Sequence, residues 1–348
     1  MPGLLNVAVA LLPVLLFLAV LVFLDSFKLV SPRSVLLALG AGGLAALAGA
    51  RSYDWLLGMS GLSATAFSRY AAPLVEEALK AAWIVLLIRR RRVGFLVDAA
   101  ILGFAVGAGF ALVENVEYLR SLGERRVLLW PVRGFGTAVL HGATTAIFAM
   151  FAKGLSDRHP GHAVTALLPG FLAAVSIHSL YNHFLLPPLA ATFVLFVVLP
   201  LLIVVVFERS ERTTRDWLGG GLDVDIELIE SILSGEALGT RVGDYLRSLK
   251  ARFPGEAVGD MLCLLRIQTE LGIRAKGLLL AREAGLEVPV GEDVRANLRE
   301  LRYLQKMIGR TGLLALKPLL RQSARDLWQI YLLEQAGGGG ERSSVPRG

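Results

Sequence analysis

Residues 71–88 read AAPLVEEALKAAWIVLLI. The run is close to the roughly 20 apolar residues that a membrane-spanning helix needs, yet it carries Glu76, Glu77 and Lys80. Ionisable groups inside a spanning helix are expensive and face a bundle interior or a water-filled cavity. This stretch therefore decides the fold class: an all-α, polytopic membrane bundle with polar groups gathered inside it.

The rest of the chain agrees. Its 348 residues are 54% hydrophobic and 19% charged, with a mean hydropathy of +0.59. Residues 1–207 contain seven candidate spans, at 4–24, 33–50, 66–88, 94–119, 131–153, 163–186 and 189–207. Residues 208–222 form a basic linker whose glycines at 219–221 suggest a hinge. Residues 223–336 read as a soluble α-helical domain, with helices near 223–234, 239–252, 255–271, 273–284, 291–308 and 312–335. Residues 337–348 read as a disordered tail.

The net charge of +7 sits largely beside apolar runs, as topology signals and headgroup contacts do. No basic face interleaved with aromatics appears, so nucleic acid is excluded as a partner. The lone Cys263 rules out an internal disulfide and a cysteine zinc knot, and its apolar neighbours suggest a buried thiol. Arg89, Arg90, Arg91 and Arg92 place the loop after the third span in the cytoplasm. Alternation then puts the N-terminus outside and the C-terminal domain in the cytoplasm, where it can meet a cytoplasmic partner. The loop with Arg120, Arg125, Arg126 and Arg133 runs against this scheme.

Polar residues within four successive spans carry the functional signal. On the third, Glu76 and Lys80 are one turn apart and can pair. Glu77 then points about 100° away, free for acid/base work. The plain alternative is an ion pair locking two helices, which accounts for one carboxylate but not two. The fourth span ends in GFALVENVEYL, with Glu114 and Asn115; the fifth has His141 in AVLHGATTAIFAM; the sixth has His178 and Asn182 in AAVSIHSLYNHF. A single membrane histidine is commonly a satisfied core residue, but two beside buried carboxylates suggest a site. With a rise of about 1.5 Å per residue, Glu77, His141 and His178 fall about 12, 15 and 8 Å below the outer boundary. Glu114 lies within several ångströms of that boundary. Four helices thus bring polar groups to similar levels in the outer half of the bilayer.

The motifs EEALK, FALVEN, HGATTAIF and HSLYN, in this order over residues 66–186, resemble the PrsW family of intramembrane proteases, which is similar to the CAAX-processing and bacteriocin-processing membrane proteases. The resemblance implies peptide-bond hydrolysis within the cell membrane, the inner membrane of a bacterium. It also implies a single-pass membrane protein as substrate, such as an anti-sigma factor. Lys80 stands one position earlier than the arginine of the prenyl-CAAX branch, and Glu114 replaces that branch's histidine, which argues against prenylated substrates.

Two schemes for activating water remain open. In one, without a cofactor, Glu77 or Glu76 takes the water proton with help from His141, and His178 and Asn182 stabilise the oxyanion. In the other, His141, His178 and a glutamate such as Glu77 hold zinc, and another glutamate is the base. Lys80 and Asn115 support either. The metal-free scheme is preferred. Buried Glu and His chains also suit an ion-coupled transporter, although no inverted halves are evident. A non-catalytic scaffold is a third reading.

Overall fold

The computed structural model describes residues 4–122, 129–159, 163–320 and 324–338. Arg125, Arg126 and nearly all of the expected tail lie outside them. Every described element is a helix or helical turn. The chain divides into two compact units, Met1–Ser210 and Glu211–Gly348.

The first unit is built from α1 (Leu4–Leu24), α2 (Pro32–Ser60), α3 (Ala72–Arg89), α4 (Leu96–Leu122), α5 (Ala138–Arg158), α6 (Ala163–Asn182) and the first half of α7 (Pro188–Leu233). Wide π turns, Phe67–Ala71 and Val132–Thr137, lead into α3 and α5. The start of α2 is set by Ser31, whose Oγ accepts the Ser34 N–H, with Pro32 in the first turn. Both are standard helix-start devices. Its end is set by Gly61 at φ 65°, a left-handed conformation that glycine adopts without strain.

Helix α4 is the axis of the bundle. Residues 97–111 are all buried, as expected of a helix that is apolar all round except at Asp98, which accepts from the Gly94 N–H. Glycines let its neighbours approach at backbone distance. A Cβ on Gly107 would lie 2.1 Å from the His141 carbonyl oxygen of α5, and one on Gly109 would lie 2.0 Å from that of Leu39 in α2. The register of α5, and with it the position of His141, is therefore fixed by the absence of a side chain on α4.

Five described helices are long and apolar enough to cross a membrane: Leu5–Leu24, Pro32–Ser60, Leu96–Ser121, Val132–Arg158 and Pro188–Leu233. Seven were expected. Helix α3 drops out because Glu76, Glu77, Lys80 and Arg89 interrupt its 18 residues. The outer face of α7 keeps Phe193, Phe196, Leu201 and Val204 more than half exposed, an apolar surface suited to lipid.

The second unit contains the end of α7, α8 (Arg241–Leu249), α9 (Gly255–Glu283), α10 (Glu292–Leu316) and α11 (Ala324–Gly338). Three sequence expectations change here. The glycines at 219–221 do not break the chain, because α7 runs through them. Lys276 donates to the Gly221 carbonyl at 2.8 Å and to Asp225 at 2.6 Å, which offsets the poor helix propensity of glycine. The expected break near residue 272 is also absent: Gly272 lies within α9, where a Cβ would meet Asp225 and Gln329 at 3.1 Å. Cys263 is exposed, because Val258, Met261, Leu264, Leu265 and Leu271 make up the buried stripe of α9 and position 263 falls off it. The break expected after residue 308 is present as a kink at Gly309, φ 68°.

Candidate active site

The placement of the paired glutamates begins with Pro73. In the π turn before α3, the Ala72 N–H bonds to the Phe67 carbonyl. The next donor along the chain should be residue 73, but proline has no N–H. The carbonyls of Ser68 and Arg69 are therefore left for side chains. Ser179 Oγ donates to Arg69 O at 2.6 Å and Asn182 Nδ2 donates to Ser68 O at 3.0 Å. Both belong to α6, one residue and one turn beyond His178. The missing donor at Pro73 thus docks α6 on the head of α3 and brings His178 against the glutamates.

Glu77 is the buried, hydrogen-bonded member of the pair. Its Oε1 accepts from Lys80 Nζ at 2.6 Å, His178 Nδ1 at 2.8 Å and Thr144 Oγ1 at 3.1 Å. Lys80 is fully buried, lies 4.9 Å from the centre of the Phe110 ring and reaches His141 Nδ1 at 3.1 Å. The buried ion pair is thus satisfied on both sides, the condition under which such pairs are tolerated. The sequence reading had paired Lys80 with Glu76 and left Glu77 free; the structure reverses the two. Lys80 can reach either residue along the helix, and the neighbours decide: Glu77 faces α5 and α6, where Thr144 and His178 add their donors.

Glu76 faces a cavity of about 440 Å³ lined also by Glu114, Arg133, His141, His178 and Asn182. Its Oε2 is buried without a hydrogen-bond partner among the described residues, and lies 3.8 Å from His178 Nε2. The hydrogen bonds assign the tautomers. His178 Nδ1 donates to Glu77, so its Nε2 offers a lone pair toward Glu76. Lys80 can only donate, so His141 Nδ1 accepts and His141 Nε2 carries the proton, donating to Glu114 Oε2 at 3.1 Å. The two imidazoles meet edge to face, with ring centres 4.8 Å apart. Ligating atoms of Glu76, His141 and His178 all lie within 4.8 Å of one another. Two imidazoles and a carboxylate form a donor set suited to zinc, and the orphaned Glu76 oxygen fits a cation there. The carboxylate in the set is Glu76, where the sequence reading named Glu77. Glu77 instead orients His178 from behind, the usual carboxylate–histidine arrangement of metal sites.

Glu114 is held by a residue that the sequence reading counted only as a loop charge. Arg133 Nη2 lies 2.9 Å from Glu114 Oε2, Arg133 Nε donates to Asn115 Oδ1 at 3.0 Å, and its guanidinium sits 3.7 Å from the centre of the Tyr118 ring. In a regular helix the eight residues from Arg133 to His141 leave the two about 80° apart. The π turn at Val132–Thr137 absorbs one residue, and the remaining seven bring them within about 20°.

The geometry therefore has the parts of a water-activating site: a carboxylate and imidazoles at a cavity wall, with further carboxylates held by cations. A family model described as PrsW family intramembrane metalloprotease matches residues 31–207. The chain belongs to the PrsW family. No curated protein and no solved structure gives a significant match. Membership makes this protein a peptide hydrolase of the membrane, acting on a membrane-protein substrate in a lipid bilayer. The family's description as metalloproteases, together with the Glu76, His141 and His178 cluster, turns the balance from the metal-free scheme preferred on sequence. The match begins just before α2, so α1 lies outside it, as does the second unit.

The four motifs of this PrsW-family chain converge, but with redistributed duties. Glu76, Glu114, His141, His178 and Asn182 share the cavity. Asn182 uses one amide hydrogen to tie the π turn at Ser68. Asn115 is buried and donates from Nδ2 to the Ala10 carbonyl at 2.7 Å, bracing α1.

Proposed function

We propose that the protein is an intramembrane endopeptidase that cuts a single-pass membrane protein with a divalent metal held by Glu76, His178 and His141. The gathering of those three ligating groups at the wall of one cavity carries this reading. Glu76 Oε2 and His178 Nε2 are ready donors. His141 would become one on metal binding if its Nε2 proton left through Glu114 to water, restoring the Glu114 carboxylate, while Lys80 supplied a proton to Nδ1. A metal held by these residues would supply Lewis-acid chemistry, polarising a scissile carbonyl and lowering the pKa of water.

The protein's own groups handle the protons. The Arg133 ion pair and the His141 hydrogen bond both end on Glu114 Oε2, so Oε1 is the oxygen left to the cavity and takes the proton of the attacking water. The water oxygen bonds to the carbonyl carbon, the C–N bond breaks, and Glu114 returns the proton to the leaving amine. Asn182 lines the same cavity, and its second amide hydrogen is the donor assigned to the oxyanion.

The substrate is cut toward the outer half of the bilayer. Glu76 stands thirteen residues before Arg89 on α3, about 20 Å along the axis, in a hydrocarbon core of about 30 Å. The basic end at residues 89–92 marks the cytoplasmic side of a bacterial inner membrane, and alternation of the spans gives a cytoplasmic C-terminus. A single-pass anti-sigma factor is the substrate class that the family resemblance suggests.

The test is cleavage of a single-pass substrate by the full chain reconstituted in liposomes. Glu76→Gln abolishes cleavage while the protein remains folded, and Glu77→Gln lowers it about 10–100-fold through a loosened His178. Wild-type cleavage by folded Glu76→Gln would end this proposal. A metal-free reading has one observation in its favour: both nitrogens of His141 are already hydrogen-bonded. Full activity in chelator would select it.

A further inference from the structure

Glu114 is fixed from outside its own helix, by a chain of polar contacts that starts in α1. Pro13 lies inside α1 and cannot donate to the carbonyl four residues back, that of Val9. That carbonyl abuts Gly134, where a Cβ would lie 1.9 Å from Val9 O. One residue further, the Ala10 carbonyl accepts from Asn115 Nδ2 at 2.7 Å. Asn115 in turn accepts at Oδ1 from Arg133 Nε at 3.0 Å, and Arg133 Nη2 lies 2.9 Å from Glu114 Oε2. Asn115 is 1% and Arg133 8% exposed, so these bonds face little competition from water. Ala10, Leu119 and Trp130 pack together around this junction.

We propose that Arg133 and Asn115 are positioning residues that hold Glu114 in its reactive orientation, and that α1 sets their hold through Ala10 and Gly134. Arginine suits this task because its planar fork serves two acceptors in fixed directions, which an ammonium cannot do. Asn115 suits it because one amide both accepts from Arg133 and donates to α1. A helix outside the matched family region thereby tunes the proton acceptor of the site, and a displacement of α1 is transmitted to Glu114. The inference rests on the reading of Glu114 as that acceptor.

The experiment is a double-mutant cycle on the full chain in liposomes, with single-turnover cleavage of a single-pass substrate, bound-metal content and thermal unfolding measured for each variant. Arg133→Lys lowers kcat about 100-fold, the scale of a misplacement near 1 Å, with KM, metal content and unfolding temperature unchanged. On a Glu114→Gln background, Arg133→Lys has no further effect, because there is no carboxylate left to position. Guanidinium added to Arg133→Ala restores part of kcat. Gly134→Ala, which pushes α1 away, lowers kcat in the wild-type background and not in the Glu114→Gln background. Equal losses in both backgrounds, or losses that track the unfolding temperature, make the network ordinary packing and overturn the inference. Wild-type kcat in Arg133→Lys overturns it too. Wild-type kcat in Glu114→Gln alone overturns the parent reading instead, so the two failures are distinct.

Discussion

Lys80 is the most exposed point of the account, although it is the least exposed side chain of the site. Consider Lys80→Met, which keeps the length and apolar stem but removes the ammonium. In the native protein that ammonium lies 2.6 Å from Glu77 and 3.1 Å from His141, with no solvent access. Removing one partner of a buried pair leaves the other charge uncompensated, which costs about 3–5 kcal/mol. His141 Nδ1 loses its donor as well, which adds about 1 kcal/mol. The loss is a large fraction of a typical stability of about 5–15 kcal/mol. Adding Glu77→Gln removes the stranded charge, and the double variant returns to within about 1–2 kcal/mol of wild type. Denaturant titration of the full chain in mixed micelles reads both numbers. If Lys80→Met unfolds within about 1 kcal/mol of wild type, or the double variant is worse than the single, Glu77 and Lys80 are not the closed pair described above and the assignment of Glu76 to the cavity loses its basis.

Other outcomes follow from single contacts. Gly107→Ala places a Cβ 2.1 Å from the His141 carbonyl and costs about 1–3 kcal/mol by overpacking, with cleavage falling as His141 shifts; Gly40→Ala, with open space around it, keeps both stability and cleavage. Ser179→Ala strands the Arg69 carbonyl and costs about 1–3 kcal/mol. Thermal unfolding should show a smaller loss when Pro73→Ala restores a backbone donor to the same turn. Glu114→Gln lowers kcat about 100- to 10,000-fold, the usual weight of a general base, with KM little changed in single-turnover cleavage.

Much of the bundle is legible because apolar runs and their breaks are strong signals. The run at 4–24 matches α1, and the third to sixth runs hold the four motif helices. The convergence of Glu76, Glu114, His141 and His178 was also readable, since burying ionisable groups on neighbouring helices is too costly unless they meet. The finer assignments were not. Glu76 and Glu77 are both within one turn of Lys80, so helical spacing cannot say which one is paired. Thr144 and His178 decide it, and they belong to other helices. Arg133 was misread as a topology charge because regular helical counting turns it away from His141. Only the extra residue of the π turn brings it round, and the glycines of VRGFGT, residues 132–137, were the available hint of irregular helix. The tie of Asn182 to Ser68 was hidden, because the demand created by Pro73 at Ser68 and Arg69 is a backbone matter that motif spacing does not reveal. In the second unit, Gly272 and the glycines at 219–221 were read as breaks, whereas packing of Asp225, Lys276 and Gln329 keeps them helical.

The most direct measurement is the metal content of the purified full chain, by elemental analysis, for wild type, Glu76→Gln and Glu77→Gln. The account predicts about one divalent transition-metal ion per wild-type chain, lost with cleavage in Glu76→Gln and only weakened in Glu77→Gln. Wild-type protein that cleaves its substrate while free of metal, or Glu76→Gln protein that retains a full complement of metal, would contradict it.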